Sequence, residues 1–206
     1  MLKIFIISSA TLIFVSDLIL VAFSALGLAH NPSLFLLDIK SIPSILIGVF
    51  AGLSMAIAGH YILGKIRLWD ESVAYLVGNA LTSGGLHKLF IVSLTAGLVE
   101  ETYTRGTLLL IFNDKNFPGF SFILAFILVN SIWSISHLFH RINDLYTNPL
   151  LTLKKALPHI IVIFITGIPF TVIAFAYNSL LPPILAHMTL DLAYGIFHRK
   201  KLHSSR

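Results

Sequence analysis

Cysteine is absent from all 206 residues, so disulfides and thiolate metal ligands are excluded and any catalysis must use other groups. Charge is scarce too: 11% of the residues are Asp, Glu, Lys or Arg, 56% are hydrophobic, and the mean hydropathy is +0.89. Soluble domains carry about 25% charged residues, which excludes an ordinary water-soluble fold. Internal repeats and low-complexity segments are also missing, and with them the inverted symmetry that would favour a transporter. What remains is a series of apolar runs at 4–28, 43–64, 89–112, 118–139, 158–178 and 182–198. A membrane-spanning helix needs roughly 20 such residues. The first run follows Lys3, is longer than a signal-peptide core and precedes further spans, so it reads as the first transmembrane helix. The segment Ile66–Leu86 holds an interfacial helix or one more short span. The expected fold is all-α, a polytopic transmembrane helical bundle of about six to eight helices. Residues 1–206 form a single integral membrane domain whose motif-bearing core covers about 86–198.

Lys and Arg are retained on the cytoplasmic side of membranes. With six spans and both termini inside, every loop or terminal Lys and Arg except Lys40 and Lys115 falls on that side. The net charge of +5 therefore reflects topology and attraction to anionic lipid, and no nucleic-acid partner is expected. Pro32, Pro43, Pro118, Pro149, Pro158 and Pro182-Pro183 fall at or near inferred helix ends, where a missing N–H costs least.

Three charges interrupt the third run, in LVEETYTRGTLLLIF (98–112). Placing an ionised side chain at the bilayer centre costs roughly 2.5–3.5 kcal/mol on insertion scales, so such groups face a polar interior with partners. Glu101 and Arg105 stand four apart on one helical face and can pair, whereas Glu100 points about 100° away. Its carboxylate must be protonated, hydrated or matched by donors from other helices. Candidates are His137, at the end of the fourth run, and His187 with Asp191, four apart on the last. Each has a bland reading: a lone membrane histidine usually bonds another helix, and Glu101–Arg105 alone is as well explained as a structural ion pair. Together, however, carboxylates and imidazoles on apolar helices are the inventory for activating a water and stabilising an oxyanion.

The ordered set Glu100-Glu101-x-x-x-Arg105, then Trp133-x-x-x-His137, then His187-x-x-x-Asp191 resembles the CPBP (Abi) family of intramembrane proteases, which includes the CAAX-processing endopeptidases and bacteriocin-related members. The resemblance implies an intramembrane endopeptidase. Glu100 would be the general base activating a water, aided by His137, while His187 and Asp191 support the tetrahedral intermediate. Glu101 and Arg105 would hold geometry and charge balance. The substrate would be a membrane-associated peptide or protein, with a lipid-modified terminus as a family expectation. Two residues depart from the family pattern. Trp133 stands where Phe is usual, which alters the substrate pocket and adds an indole N–H that needs a partner when buried. Asp191 stands where many members have Asn.

Zinc chemistry stays open at this stage. No H-E-x-x-H string exists, yet Glu100, His137 and His187 could form a three-ligand site. The metal-free route is preferred because Glu100 then needs no reassignment. Asp17 is an intramembrane acid without a motif; His60, His87, His140, His159 and His198 lie near inferred helix ends, and Asn130 is expected to bond across helices. The six-span register sets His137 and His187 at opposite ends of their helices. They can meet only if the Pro182-Pro183 helix begins inside the protein or the fourth helix runs past the bilayer. A non-enzymatic immunity or regulatory protein and a proton-relay transporter are the competing readings. Length and lack of targeting features suit a prokaryotic plasma membrane.

Overall fold

A computed structural model describes residues 42–63, 71–72, 81, 85–109, 122–138 and 142–204. The expected first span, Asp17, His140 and most of Ile66–Leu86 lie outside them. The described elements are α1 (Ile42–Ala58, continued by a π-helical turn Gly59–Leu63), α2 (Leu86–Glu101, continued by a π-helical turn Thr102–Gly106), α3 (Phe122–Ser136), α4 (Ile142–Thr147), α5 (Pro149–Tyr177) and α6 (Leu181–Ser204). Among the described residues there is no strand. Among the described residues, two helices are long and apolar enough to cross a membrane, Ile42–Tyr61 and Pro149–Tyr177.

The surface is apolar where a soluble protein would be polar. Leu46, Phe50, Leu53 and Ile57 of α1 point outward, as do Ile123, Ile127 and Ile135 of α3 and Leu157, Ile161 and Ile165 of α5. The buried residues of α1 are instead Ser44, Gly48, Gly52 and Ala56. They recur every fourth position and so form one face. That face lies directly on the backbone of α6: a Cβ at Gly48 would stand 2.5 Å from the Pro182 carbonyl oxygen, and one at Gly52 only 2.1 Å from that of Ala186. Small residues let helix backbones approach in this way where lipid removes the usual hydrophobic drive. α2 approaches the same helix through Gly97, whose added Cβ would meet the Ile184 carbonyl oxygen at 2.9 Å. α6 is thus the central helix, packed by α1, α2 and α5, while α3 packs on α5 and on the π turn of α2.

α5 corrects one expectation. Hydropathy sets its start at Pro158, yet the helix begins at Pro149 and carries both Pro158 and Pro169 inside it. The Asn148 side chain caps it by accepting from the Leu151 N–H at 3.3 Å, and Pro149 occupies the first turn. Lys154 and Lys155 lower the hydropathy of the early turns without lowering their helix propensity. At about 1.5 Å per residue the helix is about 43 Å long, more than the roughly 30 Å hydrocarbon core. It ends at Asn178, in the left-handed conformation with φ 46°. The N–H groups of Asn178 and Ser179 then close the last turn on Phe175 and Ala174, each at 3.2 Å. Only Ser179 and Leu180 follow before α6 starts.

Candidate active site

Glu100 and Glu101 sit at the point where α2 widens into its π turn. Such widened turns are frequent at functional sites. Glu101 and Arg105 are both fully buried and pair at 3.2 Å, as the four-residue spacing suggests. Arg105 has five N–H donors. Its Nε donates to Thr171 Oγ1 (3.1 Å), Nη1 to Glu101 Oε1 (3.2 Å) and Thr104 Oγ1 (3.0 Å), and Nη2 to Asn130 Oδ1 (3.1 Å) and the Gly167 carbonyl (3.0 Å). Every donor is therefore used. The guanidinium also lies over the Trp133 ring, 4.6 Å from its centroid, in cation–π geometry. Gly167 makes room for this packing, since a Cβ there would stand 2.4 Å from Asn130 Oδ1 and 2.7 Å from Arg105 Nη2.

The two histidines meet at one carboxylate oxygen. His137 Nε2 and His187 Nε2 each lie 3.9 Å from Glu100 Oε2. The register that set them at opposite ends is corrected at α6, which begins at Leu181 with the almost fully buried Pro182 and Pro183 in its first turn, so it starts inside the protein. α3 ends at Ser136, just before His137, and residues 139–141, on which a longer fourth helix would depend, lie outside the described residues. His137 Nδ1 lies 2.8 Å from the Trp133 carbonyl and His187 Nδ1 lies 2.8 Å from Glu101 Oε1. A carbonyl or carboxylate oxygen accepts, which assigns the proton to Nδ1 in both rings and leaves each Nε2 facing Glu100. His187 is further fixed by stacking on Phe170, with ring centroids 5.1 Å apart.

Asp191, one turn beyond His187, places Oδ2 3.9 Å from His187 Nε2. Glu100 keeps 34% of its side chain exposed, whereas Glu101 has none. The structure thus gives the adjacent acids different surroundings. Glu100 is partly exposed with two imidazole nitrogens near it, and Glu101 is locked between a guanidinium and an imidazole. The second Glu101 oxygen, Oε2, is buried without a hydrogen-bond partner among the described residues. The Trp133 side chain is 3% exposed, and its indole N–H donates to Glu100 Oε2 at 2.7 Å.

All seven expected site residues therefore gather around Glu100 and His187. Asn130 bonds across helices as expected, to Arg105 and Thr171. Thr104, Gly167, Phe170 and Thr171 were not anticipated, because each is an ordinary residue of an apolar helix and only the third dimension brings it to Arg105 or His187. His159 differs from its expected place at a helix end: it lies within α5 and shares a 2.9 Å hydrogen bond with Ser72. Tetrahedral zinc needs ligand atoms about 2.0–2.2 Å from the ion and so about 3.4 Å from one another. No group of three or more His, Asp or Glu among the described residues is close enough to hold a metal ion.

The type II CAAX prenyl endopeptidase Rce1-like family model matches residues 82–193, more than half of the chain. The chain belongs to this family. No curated protein and no solved structure matches it. Family membership and the two long apolar helices make it a membrane protein of the CAAX-protease type, with a peptide or protein as the substrate class.

Proposed function

We propose that this Rce1-like family member is an intramembrane endopeptidase that hydrolyses a peptide bond through a water activated by Glu100. Residues 1–206 form one multi-pass domain with both termini cytoplasmic, as the distribution of Lys and Arg supports. The observation that carries the reading is the convergence of two imidazole Nε2 atoms on one Glu100 oxygen, at 3.9 Å each. That distance exceeds a hydrogen bond and is short enough for a single water to bridge.

In the proposed reaction Glu100 removes a proton from that water while His137 Nε2 accepts its second hydrogen bond and orients it. The nascent hydroxide adds to the scissile carbonyl carbon, and the carbonyl π electrons move to oxygen. The oxyanion needs donors about 3 Å away. With Nδ1–H committed to Glu101, His187 serves by carrying a second proton on Nε2, and the neighbouring carboxylates balance the resulting imidazolium. Asp191 contributes a hydrogen bond when protonated. Collapse of the intermediate breaks the C–N bond, and Glu100 returns its proton to the leaving amine. Glu101 and Arg105 act through position, since both are fully buried.

The test is cleavage of a C-terminal peptide, presented with and without a prenyl group, by the protein reconstituted in vesicles. Products are identified by mass spectrometry. Release of a C-terminal fragment is expected, with a Glu100→Gln variant slower by about 10²–10⁴ at unchanged melting temperature. Cleavage by Glu100→Gln within a few-fold of wild type would reject Glu100 as the base. Absence of cleavage by the wild-type protein under all substrate conditions would favour the non-enzymatic immunity or regulatory reading.

A further inference from the structure

Trp133 touches Glu100, Arg105 and both histidines of the site. Its indole N–H donates to Glu100 Oε2 at 2.7 Å. Its backbone carbonyl accepts from His137 Nδ1 at 2.8 Å and from Ser136 Oγ at 2.7 Å. Those two bonds satisfy a carbonyl in the last turn of α3 that has few helical partners left. Its ring stands edge-on to both imidazoles, with centroids 5.2 Å from His137 and 5.8 Å from His187, and its other surface carries the Arg105 guanidinium at 4.6 Å. A Cβ at Gly167 would lie 2.7 Å from Trp133 Cε3, so the ring has little room to turn.

We propose that Trp133 is a positioning residue for Glu100: its indole N–H holds the carboxylate oxygen that faces the two histidines, and its carbonyl holds His137 in the tautomer that presents Nε2 to that oxygen. The inference rests on the proteolytic reading of the site and adds to it a residue that touches the base rather than the substrate. A carboxylate on a long side chain, 34% exposed, samples several rotamers unless something holds it. The N–H donor is rigid, buried and aimed at one oxygen, so it selects the rotamer in which a water can touch Glu100 and an imidazole together. A phenylalanine at this position would keep the ring and the carbonyl bond to His137 and lose only the indole donor. The N–H is therefore the separable element.

The experiment has two arms on the full-length protein in detergent. Trp69 and Trp133 are the two tryptophans of the chain, so a Trp69→Phe background leaves one indole to observe. In that background, ¹⁵N-indole spectra are compared with and without Glu100→Ala. The expected result is a Trp133 N–H displaced downfield by the carboxylate, with the displacement lost on removing Glu100. An indole signal indifferent to Glu100→Ala would overturn the proposal, and this arm needs no turnover. In the kinetic arm Trp133→Phe is expected to lower kcat about tenfold, the effect of one charge-assisted hydrogen bond, with KM unchanged. A Trp133→Phe variant with wild-type kcat and a raised KM would overturn it in favour of direct substrate contact. Failure of Glu100→Gln to lose activity would instead reject the underlying protease mechanism while the spectral result stood. The two failures are thus distinguishable.

Discussion

Replacing Arg105 by lysine tests the architecture beneath the site. The charge is retained, but five N–H donors become three. Arg105 uses all five of its donors, at 3.0–3.2 Å, on acceptors from three helices. At least two of those bonds must be lost in a fully buried place, together with the flat stacking over Trp133. A hydrogen bond to a charged group contributes about 1.5–3 kcal/mol, so the expected destabilisation is about 3–6 kcal/mol. For a chain of this size each kcal/mol lowers Tm by about 2–4 °C, which puts the loss at roughly 6 °C or more in a thermal unfolding scan in detergent. Arg105→Met should cost at least as much, because it leaves the buried Glu101 with His187 as its remaining partner, and breaking a buried pair costs about 3–5 kcal/mol. Adding Glu101→Leu to Arg105→Met should recover part of the melting temperature by removing the stranded charge. It should not recover activity, because His187 Nδ1 would have lost its acceptor. An Arg105→Lys variant that melts within about 2 °C of wild type would refute the reasoning.

Gly52→Ala should lower both melting temperature and activity. The new Cβ would stand 2.1 Å from the Ala186 carbonyl oxygen, a backbone atom that cannot turn aside, and α6 would shift next to His187. Overpacking of this kind costs about 1–3 kcal/mol, and wild-type melting would contradict the direct seating of α1 on α6. A strong chelator should leave cleavage unchanged. Loss of activity that zinc restores would show that the donors close around a metal and would reassign Glu100 from base to ligand.

The site was legible in the sequence where chemistry and spacing coincide. Glu101 and Arg105 pair because four residues separate them, and an indole inside an apolar helix has to find an acceptor, which proved to be Glu100. Hydropathy could not show that α6 begins among buried prolines, because Leu, Pro and Ile read alike whether lipid or protein surrounds them. That is why the register kept His137 and His187 apart. It also started the fifth run at Pro158, since the two lysines before it look like a loop to a polarity scale and like helix to the backbone. The partners of Arg105 on α5 were invisible for a further reason: Gly167 contributes a carbonyl and an absent side chain, and neither carries a sequence signature.

The central claim is that Glu100 and His137 act on the same water, and a kinetic cycle of Glu100→Gln, His137→Ala and the double variant measures this directly. Groups that serve one step as a unit are strongly non-additive. The account predicts that each single change lowers kcat by about 10²–10⁴ and that the double variant is no more than a few-fold slower than the worse of them. Losses that multiply in the double variant would mean that the acid and the imidazole work on separate atoms, and would contradict it.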